Sequence, residues 1–461
     1  MTAYPFLSAY KSDLKALNRF VLDGALRRYQ HHLLGGDLWS VASPLTGRPL
    51  ALTGSIDVGR NALWFRCQSD DGVSETLWVH AGGIAKGYAL GLAFLEAEGG
   101  VSDLFLPDGK APAERAAKVA KADLARAAAR RRPRPVGALR PVLEIGHPNF
   151  AHLAWNELSG LQVYITATGP DRRPLPYRET HAPLGPIAPL VSDAGWLIPA
   201  DAGEPSGTED LRFRVGSIRL GAPTQTRILD HARARRTGRT EAIRRRVAGR
   251  PVLWCSVRTI NRSAGNQTVF LAELAARAAA LGAVVMLDGF SMPEGQMSAG
   301  KAALVADNID RVAAALDAVQ RLAVKAGADP DALIDINGVS LLEALDLGDL
   351  ASFYVCHAGT LQHKLAWFRP VPGVVLEHLN PEQTTDWYHR CVEGSILPHW
   401  LPTSHFAALP LPHGVLPRNG AYDFVDPVAS ARACIDLFEA ALRDHATTPE
   451  DGGRLNDENP A

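Results

Sequence analysis

Residues Ser352–Glu377 read SFYVCHAGTLQHKLAWFRPVPGVVLE. Phe353, Tyr354, Val355 and Cys356 form a short apolar run of the kind a buried strand uses. His357-Ala358-Gly359-Thr360 breaks that run with small residues that can cap a helix. Leu361, Leu365, Trp367 and Phe368 mark one apolar helical face, with Trp367 as a core residue, and Pro370-Val371-Pro372-Gly373 ends it. Val374, Val375 and Leu376 open another strand, with Glu377 at its end. Strand, loop, helix, turn and strand predict a βαβ unit. Open α/β sheets bind ligands at the carboxyl ends of their strands, so the loop His357–Thr360 is expected to face one.

The same alternation runs backwards from this unit. Strands are expected at Val252–Val257, Ala283–Leu287 and Leu333–Ile336, and helices at Thr268–Leu281, Ala302–Val324 and from Leu341. That order predicts a parallel, doubly wound sheet over 251–378. Further back, 141–248 predicts a second α/β pattern. Its strands are expected at Pro141–Ile145, Leu161–Ile165 and Pro189–Val191, with a helix over Ala151–Leu161. The basic segment Arg227–Arg250 lies between the two patterns and is expected to be an interdomain helix with solvated arginines.

The first third has a different character. Residues 1–33 carry Leu14, Leu17, Val21 and Ala25 at helical spacing. Short apolar pieces over 38–106, such as Ala62–Cys67 and Thr76–His80, predict a small antiparallel β region. Gly82–Gly87 lacks the spacing of a phosphate loop and is expected to be a turn. Lys110–Arg134, rich in Ala and Arg and closed by Pro133, predicts a basic connecting helix. Residues 379–426 are rich in Pro, His and Trp and poorly periodic. Asp426-Pro427 then starts a terminal helix to Leu442. The expected domains are a helix with a β-rich region (1–109), a basic linker (110–140), two Rossmann-like domains (141–248 and 249–446) and a disordered tail (447–461).

The chain has 461 residues, 46% hydrophobic and 21% charged, with a formal net charge of -1. Those values predict a folded chain with sizeable cores and give no global field for nucleic acid. The 5 cysteines are scattered and form no CxxC pair, which points to reduced thiols rather than a disulfide framework or zinc site. The first residues do not match a secretory signal and no apolar run spans a bilayer, so a cytoplasmic location is expected. Peripheral contact of the basic helices with an anionic membrane is a further expectation.

Three groups of polar residues follow predicted strands. The first runs from His147 through Asn149 and His152 to Asn156 and Glu157. Asn149 suits a helix cap, and His152 and Asn156 share one helix face. A His at a helix start can act as a general base, although a structural His satisfied by its neighbours has the same signature. The second is Arg258, Arg262 and Asn266, ahead of a helix. Arginine forks and helix N–H groups both suit a diphosphate. The third is His357, Gly359, Thr360 and Lys364, with Glu377 placed to accept from sugar hydroxyls. Asp329-Pro330-Asp331 precedes a strand and is expected to be a turn, and the histidines at 378, 389, 399, 405 and 413 lack metal-ligand spacing. No metal or other cofactor is expected.

These three groups, in this order, resemble family 61 glycosyltransferases, which include plant xylosyl- and arabinosyltransferases and O-linked N-acetylglucosamine transferases. Asn149-Phe150-Ala151-His152 with Glu157-Leu158 is similar to the family's first motif. Arg258, Arg262 and Asn266 are similar to its second. Asp349, His357, Gly359, Pro372-Gly373 and Glu377 are similar to its third, in which His-Ala-Gly-Thr stands for His-Gly-Ala-Gly. The resemblance covers roughly residues 141–440. It implies a GT-B-like α/β fold, with two Rossmann-like domains facing a cleft and an additional N-terminal β-rich region. It further implies inverting, metal-independent transfer from a nucleotide-sugar donor to a glycan, glycolipid or protein acceptor. His152, then Glu157, would be the base; His147, Asn149 and Asn156 would lie on the acceptor side. Arg258, Arg262, Asn266, His357, Gly359, Thr360, Lys364 and Glu377 would hold the donor. The altered glycine loop instead favours a non-catalytic nucleotide-sugar- or carbohydrate-binding protein on the same scaffold. Nucleic acid is not an expected partner, since the basic segments lack interleaved aromatics.

Overall fold

The structure, a computed structural model, describes residues 4–22, 26–58, 63–70, 75–81, 88–97, 100–105, 122, 124–125, 139–200, 209–379, 389–413, 415 and 417–447. Two compact units emerge. The first comprises Met1–His231 with Pro293–Gln296 and Cys391–Glu393, and the second takes the rest. The two late returns are stitched into the first unit by backbone bonds. Glu294 N–H donates to Pro183 O at 3.1 Å, and Leu220 and Cys391–Glu393 exchange two bonds of 2.9 Å.

In the first unit the helix expected over 1–33 is broken in two. Helix α1 (Leu7–Leu17) ends at Asn18, a short hairpin of β1 (Phe20–Leu22) and β2 (Leu26–Arg27) follows, and α2 (Arg28–Leu34) resumes. The break lies at Asn18, whose amide pairs with both backbone groups of Leu90 at 2.7 Å instead of continuing the helix. The antiparallel region is present as a six-stranded meander. It runs through β3 (Ser40–Ala42), β4 (Pro49–Asp57), β5 (Leu63–Gln68), β6 (Thr76–Ala81), β7 (Leu90–Ala97) and β8 (Gly100–Phe105). Successive side chains face opposite ways along a strand. Trp64 therefore joins Trp78 and Phe94 on one face, while Phe65 meets Tyr29 and Trp39 on the other.

A four-stranded parallel sheet completes this unit, in the order β11-β10-β9-β12. Its strands are β9 (Leu139–Ile145), β10 (Leu175–Glu179), β11 (Leu197–Pro199) and β12 (Glu209–Phe213). Only β9 was expected. Leu161–Ile165, expected as a strand, lies in a helix: α3 (Phe150–His152) leads through a π-helical turn (Leu153–Leu158) into α4 (Ser159–Thr168). Leu161, Tyr164 and Ile165 are buried at helical spacing, so packing overrides the β-branched composition. Pro189–Val191 is no strand either; Pro189 has no N–H for a ladder and sits in a 3-10 turn, Ala188–Leu190.

The boundary between units falls inside α5 (Ala222–Ala234), and α6 (Gly238–Val247) follows. Several arginines of this basic segment are paired rather than solvated. Arg236 and Arg244 bond the buried carboxylate of Asp346, and Arg246 bonds the carbonyls of Pro330, Asp331 and Leu333.

The second unit is built on a six-stranded parallel sheet in the order β15-β14-β13-β16-β17-β18. The strands are β13 (Val252–Ser256), β14 (Val284–Asp288), β15 (Leu333–Asp335), β16 (Phe353–His357), β17 (Gly373–Leu376) and β18 (His399–Trp400). Helices α7 (Gln267–Ala280), α8 (Ala299–Lys325), α9 (Leu341–Leu347) and α10 (Thr360–Ala366) join the first five of them, as the alternation predicts. Leu253 and Cys255 enter one core and Val252 and Trp254 the other, which is why the strands read as unbroken apolar runs. Residues 379–426 supply β18 and a hairpin of β19 (Phe406–Ala408) and β20 (Tyr422–Phe424). The terminal helix α11 (Pro427–Thr447) is capped by Asp426, whose carboxylate accepts from the N–H groups of Val428 and Ala429. Gly82–Gly87, most of Lys110–Arg134 and the tail beyond Thr447 lie outside the described residues.

Candidate functional site

In the order 3-2-1-4-5-6, the crossovers leave the first and fourth strands in opposite directions, which opens a crevice at their carboxyl ends. Here those strands are β13 and β16. The second and third residue groups converge on this point. Arg258 and Arg262 both donate through Nη1 to the carbonyl of Ala358, at 2.8 and 3.3 Å. Arg258 is further held by the carbonyl of Ile260, and Arg262 by the side chain of Asn419. Their loop is strained, with Asn261 and Arg262 at φ 36° and 56°. Two half-buried guanidiniums thus lie side by side, and among the described residues no carboxylate is in ion-pair contact with either. Burial and the charge of Arg262 lower Arg258 to about 10.

The loop geometry explains which glycine matters. Gly359 has φ 114°, and a Cβ there would lie 3.1 Å from Arg262 Nη1 and 3.4 Å from Arg258 Nη1. Among the described non-glycine residues with positive φ, neither Ala358 nor Thr360 occurs, so the altered residues of this loop demand no left-handed backbone. Ala358 is buried, and Thr360 opens α10.

His357 is fully buried, and Ser256 Oγ accepts from its backbone N–H at 2.8 Å. The same oxygen lies 3.1 Å from His357 Nδ1 and can direct its own proton there. That leaves the ring proton on Nε2, which has no partner among the described residues. Burial, with Arg258 nearby, lowers the ring to about 3, so it acts as a neutral donor. Tyr422 Oη and Arg262 Nε are likewise buried without a partner among the described residues. Tyr422 was not singled out in the sequence. It arrives on β20 from the unperiodic region, and its ring centroid lies 6.2 Å from that of His357.

Two expected ligand residues, Asn266 and Lys364, and the motif residue Asp349 are committed elsewhere. Asn266 bonds both backbone groups of Phe424, and the Asn266 N–H is capped by Asp423 Oδ1 at 3.0 Å, so the start of α7 is satisfied internally. Gly265 makes room for that carboxylate, which would lie 2.6 Å from a Cβ. Lys364 is buried and bonds Asp288 at 2.6 Å and Ser291 at 2.9 Å, so its charge is neutralised within the fold. Asp349 pairs with Arg233, Arg244 and Arg369.

The first group occupies the corresponding place in the first unit, at the carboxyl end of β9. Asn149 caps α3 through the Ala151 N–H at 2.9 Å, as expected. Asn156 donates to Ser217 O at 2.6 Å, which turns its oxygen toward His152 Nδ1 at 3.0 Å. His152 therefore carries its proton on Nδ1 and keeps a lone pair on Nε2. Burial lowers this ring below its ordinary value, and the bond to Asn156 partly opposes that. His147 stands edge-on to His152 at 4.9 Å, and burial lowers it to about 4. Glu157 is held within the fold by three bonds. Its Oε2 accepts from the N–H groups of Gly146 and His147 at 2.7 and 3.0 Å, and its Oε1 lies 3.2 Å from Tyr88 Oη. Buried and raised to about 7, it ties the turn after β9 to the π-helical turn. Apart from these histidines, a pocket of about 490 Å³ lined by Tyr177, Arg178, Glu179, Pro199 and Ala200 opens at the ends of β10 and β11.

The fold is a mixed α/β architecture with parallel sheets. No protein-family model matches the chain, and no curated protein matches it. Among solved structures it is similar to a glycosyl transferase family 9 protein from Veillonella parvula DSM 2008, with a TM-score of 0.33 and 10% identity over 57% of this chain and 86% of that one. So weak a likeness assigns neither fold family nor activity. Among the described residues no helix is long and apolar enough to cross a membrane.

Proposed function

We propose that the chain is a glycosyltransferase that moves a sugar from a nucleotide-sugar to a hydroxyl of a glycan, glycolipid or protein. The observation that carries this reading is the pair Arg258 and Arg262, held side by side at the switch point of the second unit's sheet, with no carboxylate among the described residues in ion-pair contact with either. In the proposed reaction a general base takes the proton of the acceptor hydroxyl. The resulting oxygen attacks the anomeric carbon opposite the diphosphate, the carbon–oxygen bond to the diphosphate breaks, and configuration inverts. The leaving diphosphate gains negative charge as it departs, and the two arginines and His357 Nε2–H stabilise it without a metal. The decisive experiment is a transfer and hydrolysis assay across UDP- and GDP-sugars with wild type and Arg258→Ala. Loss of turnover with an unchanged melting profile is expected; near-normal turnover in Arg258→Ala overturns the assignment. Nucleotide binding by wild type without any turnover would instead indicate a binding protein.

A further inference from the structure

The pocket at the ends of β10 and β11, in the first unit, takes no part in the assignments made so far. Its volume of about 490 Å³ lies in the range that small ligands fill. The two strands stay in register up to the pair Tyr177 and Pro199, and Ala200 N–H still reaches Tyr177 O at 2.8 Å. The next rung of this parallel ladder would join Glu179 N–H to Ala200 O, and among the described residues it is not made. The strands part there, and a backbone donor and a backbone acceptor remain on residues that line the pocket. Tyr177 and Pro199 are paired, so they share one face of the sheet, and Glu179, two residues on, joins them. The phenol ring and the pyrrolidine supply an apolar wall beside the Glu179 carboxylate. Burial and that carboxylate both raise the Tyr177 hydroxyl, which therefore keeps its proton and can donate as well as accept. The Glu179 carboxylate accepts from Ile187 N–H, which leaves further lone pairs for a ligand. Arg178 also lines the pocket, but its guanidinium pairs with Asp210 at 2.6 Å.

From this juxtaposition of an apolar wall, a carboxylate and an open backbone rung, we propose that the pocket binds one neutral pyranose residue of a glycan. A pyranose has an apolar face of C–H groups, which suits Tyr177 and Pro199. Its rim carries hydroxyls that each donate and accept, which suits the Glu179 carboxylate, the Tyr177 hydroxyl, Glu179 N–H and Ala200 O together. A phosphate ester fits poorly, because the Arg178 charge is spent on Asp210 and the Glu179 carboxylate repels an anion. The site lies wholly in the first unit and does not rest on the diphosphate assignment; a sugar binds here whether or not transfer takes place. Glu179→Gln removes the charged acceptor at constant shape. Tyr177→Leu removes the ring face and the hydroxyl, and Tyr177→Phe removes the hydroxyl alone.

Saturation-transfer NMR titration of the full chain tests the site, with melting curves to confirm folding. The probes are cellobiose, lactose, xylobiose and N,N′-diacetylchitobiose, with butylamine and inorganic phosphate as controls. At least one disaccharide should bind saturably, with Kd on the order of 1 mM. Glu179→Gln and Tyr177→Leu should each weaken that sugar about tenfold, and Tyr177→Phe should weaken it less. If no disaccharide saturates, or if the folded variants bind as wild type does, the sugar site is overturned. Tighter binding of butylamine or phosphate than of every disaccharide also overturns it, since charge rather than hydroxyls would then be recognised. Should Tyr177→Leu not fold, Glu179→Gln decides by the same criteria. No nucleotide is present in this titration, so its outcome is independent of the Arg258→Ala assay.

Discussion

The two parallel sheets share a plan and differ in how they hold polar groups. In each, the first strand lies between the second and the fourth: β9 between β10 and β12, and β13 between β14 and β16. In the second unit, helices join the first five strands and both faces are covered, so Arg258 and Arg262 are fixed by backbone carbonyls on a rigid frame. In the first unit the crossover after β9 carries a helical segment that a π-helical turn interrupts between α3 and α4. Buried side chains do the holding there: Asn156 orients His152, and Glu157 grips two N–H groups of the turn. The first arrangement suits a fixed charge, and the second suits a ring whose proton must be kept on one nitrogen.

The glycines at the two strand ends offer the sharpest way to break this parallel. Gly146 and Gly359 have nearly the same φ, 112° and 114°. A Cβ on Gly146 would lie 2.1 Å from the backbone oxygen of His181, whereas on Gly359 it meets only side-chain ends, at 3.1 Å from Arg262 and 3.4 Å from Arg258. Gly146→Ala should therefore cost more than about 4 kcal/mol in chemical denaturation, and Gly359→Ala about 1–2 kcal/mol. Comparable costs would show that backbone confinement does not separate the two sites.

The next effect concerns the frame itself. Lys364→Met leaves Asp288 buried and unpaired, at a cost of about 3–5 kcal/mol. Denaturant midpoints check this, and recovery on adding Asp288→Leu would locate the penalty in the orphaned charge. In the first unit, Glu157 is raised from 4.5 to about 7 by burial. Between those values the unfolded chain has already lost the proton that the folded one retains, so stability falls as pH rises through that window and is level above it. The drop amounts to about 3 kcal/mol, and Glu157→Gln should flatten it in pH-dependent melts. The smallest expected effect is kinetic. Asn156→Leu should lower kcat on the order of tenfold with KM unchanged. Activity should fall on the acid side as His152 protonates, with that limb below the ordinary 6.5 in wild type and lower still in the variant, because the Asn156 bond raises the ring.

Legibility in the sequence followed burial. Val252–Ser256, Val284–Asp288 and Phe353–Leu376 could be placed because strands buried on both faces are unbroken apolar runs punctuated by amphipathic helices. Strand β10, Leu-Pro-Tyr-Arg-Glu, has only its first residue buried and carries no such signal. Leu161–Ile165 has strand-like composition, and only its packing shows it to be helical. Local spacing located His152, Asn156 and the two arginines, since each pair lies within one turn or loop. It could not show that Asn266, Lys364 and Asp349 are consumed by partners tens of residues away, nor that Tyr422 is delivered beside His357 by a distant hairpin.

The late returns of the chain into the first unit have a consequence for biosynthesis. Half of the polypeptide has emerged by His231, yet that unit still lacks Pro293–Gln296 and Cys391–Glu393. Until Glu393 is made, Leu220 has no strand-like partner and the Ala222 N–H lacks the carboxylate that bonds it. Domains are usually finished in the order in which they are translated. Here the unit begun first stays open until most of the second has been synthesised, so a ribosome stalled between 231 and 390 would present an incomplete amino-terminal unit to the chaperones of the cell.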